Sequence, residues 1–432
     1  MKKIKTKQIL YLILFFSFFV RVFNLQHPKA YIFDEVYCGF TAQEFAKGNI
    51  KAWEWWNSAP KGFAYCWTHP QLAKLIMAIG VLIFGQSQFG FRFPAAVFGT
   101  GVIYLIYLLA RKIFKSENIA LSSAFLASFD GLLLVMSRTG MLDIFVLFFL
   151  LATVYLALSR KYLWAWIFLG LSIACKWIGL YLYPVTGIIL LKDIIPRFKK
   201  KNFVTSSLYH SITFLTVPIL VYIFAHALFF TSGHTWSQFT QLQKQMWDYH
   251  TKLEATHDRQ SKALSWPFMI RPVWFWVEYK NKTQANIYNL GNPVIWWFGV
   301  LLLPLTIWQA IQKARKKRQF ELLFVVFCYF SFFLPWVFSP RIMFLHHYMP
   351  ALPFLCILTA WQLDKIKNLK FLVTGSSVAA KQKKNWKVKG EFLIALYFLL
   401  VALTFFFFYP LNTGLHLPQN LVKYFFWLPS WK

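Results

Sequence analysis

The sequence predicts an all-α polytopic membrane protein, and three observations carry that reading. Hydrophobic residues make up 58% of the chain and charged residues only 14%, against roughly 25% charged in an ordinary soluble domain. The apolar residues gather in long runs, such as Leu393 to Tyr409, for which lipid is the natural solvent. The net charge of +31 resides largely in short basic blocks between those runs. That is the pattern of cytoplasmic loops, not of the basic stripe on a nucleic-acid-binding module. The 432 residues suit a single transmembrane domain, 1–432, with little left over for a separate soluble one.

The first predicted span lies in MKKIKTKQILYLILFFSFFV. Its basic start and apolar core mimic a signal peptide, but no small-residue cleavage site follows, so it reads as uncleaved. Further apolar runs begin near Phe93, Ile119, Leu142, Leu163, Ile178, Ser211, Val294, Glu321, Pro350 and Phe392. The run from Leu72 to Phe84 is only about 13 residues, short of the roughly 20 that cross a bilayer.

Charge decides how to treat that short run. If it does not span and the N-terminus is cytoplasmic, about eleven transmembrane helices result. The blocks Lys2 to Lys7, Arg111 to Lys115, Arg160-Lys161, Lys192 to Lys201, Lys313 to Arg318 and Lys365 to Lys389 then face inward. They hold more than half of the 46 Lys and Arg residues. If Leu72 to Phe84 did span, every later block would flip outward. The positive-inside bias therefore lays it along the outer interface and puts the C-terminus outside. Two large external loops follow, residues 25–91 and 232–293. Both are rich in Trp and Tyr, as in WEWWN and PVWFWVEY, which suits interfacial helices at headgroup level. The basic stretch from Ser376 to Lys389 reads as a solvated or lipid-facing linker.

Three of the five cysteines, Cys175, Cys328 and Cys356, sit in or beside apolar runs, and no CxxC occurs, which argues against zinc. Cys38 and Cys66 share the first external loop, so a disulfide and two free thiols both remain open.

Candidate chemistry gathers on one side. Asp34, Glu35, Arg92, Arg138, Asp143, Lys176, Arg341, His346 and His347 all fall at outer ends of spans or in outer loops. Snorkelling explains any one of them, but acids and cations gathered at one face suggest a site. A carboxylate of the Asp34-Glu35 pair could act as general base on a hydroxyl, with apolar neighbours raising its pKa. The plainer alternative is an acidic start to an amphipathic helix over TAQEFAKGN. Arg92, Arg341, Arg138 and Lys176 are candidates for holding a phosphate, whose leaving needs charge stabilisation. Asp130, costly in lipid, is expected to face inward and orient one of these cations. His346-His347 reads as hydrogen-bonded structure more readily than as a metal site, since no HExxH or DxD occurs. No Walker A loop or GxGxxG is present, so a nucleotide is not the evident donor, and nothing calls for a cofactor. Asn281-Lys282-Thr283 fits the N-glycosylation sequon.

Several ordered segments resemble the protein O-mannosyltransferase family. They are FDEVYCGFTAQEFAKGN, THPQLAKLIMAIG, FGFRFPAAVFGT, SFDGLLLVMSRTGMLDIF, CKWIGLYLYP, QMWDYHTKLEATHDRQSKALSWPFMIRP and SPRIMFLHHYMPALPF. The resemblance spans nearly the whole chain. It implies a glycosyltransferase C-type fold and inverting transfer of mannose from a polyprenyl phosphate, such as dolichyl phosphate, to Ser or Thr of exported proteins. Asp34 and Glu35 match the family's acidic motif, and Arg92 matches the arginine of its FGFR segment. Asp34 is then expected to be the general base, with Glu35 positioning the acceptor or a neighbouring cation and Asp143 in reserve. Eukaryotic members carry a MIR domain in the second external loop. Here that loop, at about 60 residues, is too short for one, as in the compact prokaryotic form. His69 to Leu72 reads HPQL where the family commonly has HPPL. Expected partners are the lipid donor, a secreted or membrane protein acceptor and the bilayer, with no nucleic acid. Eukaryotic members pair as dimers, but no pairing surface is legible here. A transferase acting on a glycolipid such as lipid A is the alternative within the superfamily. A transporter is the alternative outside it, and it would call for broken helix pairs and internal repeats.

Overall fold

The computed structural model describes residues 6–195, 203–317, 319–367, 370–375 and 384–432. Parts of the expected inner basic blocks (residues 2–5, 197–201 and 318) and of the basic linker (376–383) lie outside the described residues.

Helix α1 (Thr6–Val22) is followed in the first loop by a single 3₁₀ turn, Phe33–Val36, and by α2 (Cys38–Ala46). Helix α3 (Leu72–Phe84) turns back through Gly85, at φ 85°, into α4 (Gln88–Phe114). The two pack backbone to backbone. A Cβ on Gly80 would lie 2.3 Å from the Gly90 carbonyl oxygen, a contact only glycine permits. Ser87 caps α4 by accepting from Gly90 N at 3.3 Å, and Ser116 caps α5 (Glu117–Ser128) by accepting from Ile119 N at 3.3 Å.

The third apolar run is then broken. Asp130 ends one helix and caps the next, α6 (Gly131–Met136), by accepting from Leu133 N at 2.9 Å. Helices α7 (Asp143–Leu158), α8 (Tyr162–Cys175), α9 (Leu182–Ile194) and α10 (Phe203–Phe224) follow. A 3₁₀ turn, Trp177–Tyr181, leads into α9. The second loop holds a short α11 (Ala227–Thr231) and then α12 (Trp236–Lys252), which buries Phe239, Leu242 and Met246 on one face. Strands β1 (Val273–Lys280) and β2 (Thr283–Asn289) form an antiparallel hairpin in register Val273↔Asn289. Helices α13 (Pro293–Lys317), α14 (Glu321–Val337) and α15 (Leu352–Ile366) come next, and then the β3 (Lys370–Gly375) and β4 (Lys384–Lys389) pair. Helix α16 (Gly390–Thr413) leads to β5 (Leu417–Pro418), which pairs with β2.

Packing runs opposite to that of a soluble bundle. Helix α15 is buried from Leu352 to Leu363, whereas α16 exposes Phe392, Leu396, Leu399, Leu403 and Phe406 while burying Tyr397, Val401, Phe405 and Phe408. A helix apolar on its outer face needs lipid as neighbour. Helix α7 sits against α4 and α8, and α4 also meets α1, α3 and α5.

Among the described residues, the helices able by length and composition alone to cross a membrane are Gln88–Phe114, Trp177–Ile194, Pro293–Lys316 and Gly390–Thr413. Others, including Asp143–Leu158, Tyr162–Cys175 and Glu321–Val337, are apolar but shorter. One reason the expected count is not met by length is that capping residues divide apolar runs, as Asp130 does. The second difference is the β1–β2 hairpin, since interfacial helices were expected in that loop and α12 fills only part of it. Asn281, at φ 53° in the two-residue turn, allows the chain to reverse.

Candidate active site

The first-loop turn holds two adjacent carboxylates in different circumstances. Glu35 is fully buried. Its Oε1 accepts from Arg92 Nε and Gly140 N, both at 2.8 Å. Its Oε2 accepts from Arg92 Nη2 at 2.7 Å and Ile32 N at 3.0 Å. A carboxylate offers about four acceptor positions, so none remains for an acceptor hydroxyl. Of the two roles expected for Glu35, holding a cation is the one that this geometry allows.

Arg92 is equally committed. Besides Glu35 it donates to the carbonyl oxygens of Leu25, Pro28 and Ala30, at 3.2, 3.0 and 2.9 Å. A guanidinium has five N–H groups, and every one is taken. The expectation that Arg92 binds a donor phosphate is therefore corrected: this arginine fastens the end of the first span to the Asp34 turn. Arg138 does similar work. Its Nη1 donates to Val20, Arg21 and Phe23 carbonyls at 2.9, 2.8 and 2.8 Å, a cation closing the C-terminus of α1. Asp130 differs from expectation too. It accepts from Leu133 N, from Asn292 N at 3.1 Å and from Trp296 Nε1 at 2.7 Å. It ties α6 to α13 and makes no ion pair among the described residues, its electrostatic partner being Arg21 and none of the expected cations.

Asp34 points away from this weld, and its carboxylate accepts no hydrogen bond among the described residues. Burial pushes its pKa up to about 6, partly offset by the Lys176 ammonium and reinforced by Asp143. Lys176 Nζ donates to Asp143 Oδ1 at 2.9 Å. An ammonium has three N–H groups, so two stay available for a ligand. Lys176 follows the C-terminus of α8 in extended conformation, and Asp143 opens α7. Two helix ends thus bring this pair up to the first loop.

His346 and His347 stack on one another, ring centroids 4.5 Å apart. His347 is held structurally, its Nδ1 3.0 Å from the Phe344 carbonyl and its ring against Trp336 at 4.5 Å. His346 Nδ1 is buried without a partner among the described residues, and burial lowers its pKa to about 4, so it is neutral at pH 7.

Arg341 lies at a second focus. Its Nη1 donates to His250 Nδ1 at 2.6 Å, while His250 Nε2 donates to the Thr68 carbonyl at 2.8 Å. Burial and then Arg341 lower the His250 pKa to about 4, which suits an imidazole accepting at Nδ1. His69 stacks on His250 at 4.8 Å, and burial lowers its pKa well below the ordinary histidine value. Lys176 acts electrostatically on Asp34, His69 and His250 alike, which joins the two foci. Arg341 also lines a cavity of about 780 Å³ with Lys262, Arg271, Ser261 and Ser339 on its polar side and Leu264, Ile270 and Val337 on its apolar side. Asp34 and Lys176 do not line it.

Of the residues expected at the site, Asp34, Lys176, Asp143 and His346 come together, and Arg341 joins them through histidines. His250, Lys262 and Arg271 were missed as site residues, and His69 was noted only for its place in the HPQL turn. All four lie in segments that carry the family resemblance, but nothing within those segments singles them out, because their role depends on how the two long loops meet.

Residues 11–233 match the protein-family profile described as dolichyl-phosphate-mannose-protein mannosyltransferase. Residues 235–431 match the C-terminal four TMM region of protein-O-mannosyltransferase, where α13 to α16 are found. The chain is 26% identical to the polyprenol-phosphate-mannose–protein mannosyltransferase of Corynebacterium glutamicum, over 84% of this chain and 81% of that one. Its fold is similar to that of the Saccharomyces cerevisiae protein O-mannosyltransferase Pmt1–Pmt2 complex bound to the sugar donor. The TM-score is 0.80 at 16% identity, covering 100% of this chain and 93% of the other. ArnT from Cupriavidus metallidurans bound to undecaprenyl phosphate is similar with a TM-score of 0.54 at 14% identity, covering 82% and 60%.

Proposed function

The chain belongs to the dolichyl-phosphate-mannose-protein mannosyltransferase family, and from that premise we propose inverting transfer of mannose from a polyprenyl phosphate to Ser or Thr hydroxyls of exported proteins at the outer membrane face. The observation that carries the mechanism is Asp34, a carboxylate that accepts no hydrogen bond among the described residues and is raised to about 6, under the electrostatic influence of the Lys176–Asp143 pair. Asp34 removes the hydroxyl proton as the oxygen attacks the anomeric carbon. The bond from that carbon to the phosphate oxygen breaks on the opposite face, and the electron pair leaves with the polyprenyl phosphate. Arg341, with Lys262 and Arg271 beside it, meets the developing charge, and Lys176 is the second cation. The apolar wall of the same cavity suits the first isoprene units. Glu35, Arg92 and Arg138 hold the Asp34 segment in place and touch no substrate.

The accompanying topology is about eleven spans, with the N-terminus inside, the C-terminus outside and α3 along the outer interface. Support comes from the basic blocks, more than half of the Lys and Arg, that this arrangement places on one side; length alone does not separate α3, at 13 residues, from α8, at 14.

The test is direct. The purified chain in lipid is incubated with polyprenyl-phosphate mannose and a Ser/Thr-rich peptide. Mannosylated peptide is the expected product. Label found only in a glycolipid would move the assignment to the lipid A type of transferase.

A further inference from the structure

We propose that Cys38 and Cys66 are joined by a disulfide in the mature protein, a covalent clip that fixes the Asp34 turn against the segment leading to His69. This rests on the reading above that the first loop faces the oxidising, external side.

Cys38 opens α2, two residues after the Phe33–Val36 turn ends its acidic pair, and Cys66 stands three residues before His69. Both are buried, and their sulfurs lie 2.9 Å apart. The backbones around them are already aligned: Cys66 N donates to Thr41 Oγ1 at 2.8 Å, and Lys74 Nζ donates to the carbonyls of Cys66 and His69. Bringing two cysteines together needs matched backbone positions, and here separate hydrogen bonds supply them. The middle of the loop between them is anchored from outside, where Trp53 packs against Phe229 and Glu54 meets His234 at 3.1 Å, and the clip would close the two ends of that loop. Its own apolar cluster is Phe40, Ala52 and Tyr65, a core too small to order a long segment unaided. Cys175, Cys328 and Cys356 are buried in helices and do not join this pair.

The chemistry balances with a disulfide oxidant, either a thiol–disulfide oxidoreductase or a small disulfide. Either thiol can make the first attack, and the balance is the same. With Cys66 first, its thiolate attacks one oxidant sulfur and expels the other as a thiolate. Cys38, deprotonated, then attacks the Cys66 sulfur of the mixed disulfide and releases the second oxidant thiolate. The two protons end on the reduced oxidant. Because both sulfurs are buried once folded, the step belongs to folding of the loop, and the finished bond is shielded from reductant.

The experiment alkylates cells expressing the full chain with N-ethylmaleimide, then purifies and digests the protein without reductant. A linked peptide pair containing Cys38 and Cys66, two hydrogens lighter than the free peptides, is expected. Both cysteines recovered as free thiols or maleimide adducts would overturn the proposal. In that case, oxidised glutathione added while the chain is loosened in mild denaturant, where both sulfurs are accessible, distinguishes the reasons. Ready linkage would put the fault in the assumed sidedness, and none would put it in the pairing. Neither result bears on the mannose-transfer assay. The double variant C38S/C66S is expected to turn over like the parent at low temperature, to melt at a lower temperature and to lose any response to dithiothreitol. A parent protein whose melting is unchanged by dithiothreitol under denaturing pre-treatment, and equal to that of C38S/C66S, would also overturn it.

Discussion

The Glu35 carboxylate accepts four hydrogen bonds and that of Asp34, one residue earlier, accepts none among the described residues, so substitution at the two should separate chemistry from structure. Asp34→Asn keeps shape and removes basicity. Turnover should fall by a factor on the order of 10² or more, the usual scale of general-base catalysis, with the donor KM little changed. A parent-like rate would move the base to Asp143. In the parent, the rate should rise with pH through about 6 and then level off, because only the carboxylate is a base. The same group should affect stability in the other sense. Its folded pKa lies above the unfolded one, so its stabilising contribution is complete below the unfolded value and is lost as pH rises through about 6. Asp34→Asn should therefore melt higher than the parent at pH 7. For the phosphate, Arg341→Ala should raise the donor KM by about 10-fold or more, the order expected for a lost charge-assisted hydrogen bond, and leave the melting temperature near that of the parent. The acidic pair was legible as a candidate because DE stands at the outer end of a span. Which member was free was not, since that depends on Arg92 and Gly140, remote in sequence.

At the scale of elements, the Glu35–Arg92 pair joins the first-loop turn, α4 and the segment before α7 in one buried contact. Arg92→Lys keeps the charge but cannot reproduce the planar fork. Lysine has three N–H groups for the five acceptors that Arg92 serves, and each buried acceptor left unsatisfied costs about 1–3 kcal/mol, so Arg92→Lys should lose thermal stability and folded yield, in contrast to Arg341→Ala. A variant that melts like the parent while its donor KM rises would return Arg92 to the phosphate. Asp130→Asn places an amide where three N–H groups converge. About 1–3 kcal/mol is expected for the donor left unsatisfied, and a lowered melting temperature would register it. Apolar run and helix agreed for α4, α13 and α16, because a long apolar run without an internal charge has one solution in lipid. The break at Asp130 was not legible, because a buried acid can serve a cation or a helix cap equally well, and Asn292 and Trp296 decide between them. The β1–β2 hairpin was missed because its aromatic residues were read for headgroup affinity, when their alternation along PVWFWVEY also suits a pleated strand.

For the molecule as a whole, one sidedness governs both topology and site, and single-cysteine accessibility mapping tests it. A cysteine at Lys316 is expected to be protected from membrane-impermeant reagent in intact cells, and one at Trp56, exposed in the first loop, to be labelled. The reverse pattern would invert the proposed orientation and with it the face at which transfer occurs. The expectation that charge gathers at one face comes from the distribution of Lys and Arg. The joining of the Asp34 and Arg341 foci through His69 and His250 was not legible in the sequence, because it depends on two loops meeting across most of the chain. The arginine contacts also dictate a schedule. Carbonyls from Val20 to Ala30 are gripped by Arg138 and Arg92, residues that a ribosome adds well over a hundred peptide bonds and about seventy peptide bonds later. During synthesis the stretch before Asp34 therefore waits, first for α4 and then for the chain beyond α6. A nascent chain arrested before that point has a carboxylate but no fixed place for it, so the order of translation itself withholds activity until the supporting helices have been inserted.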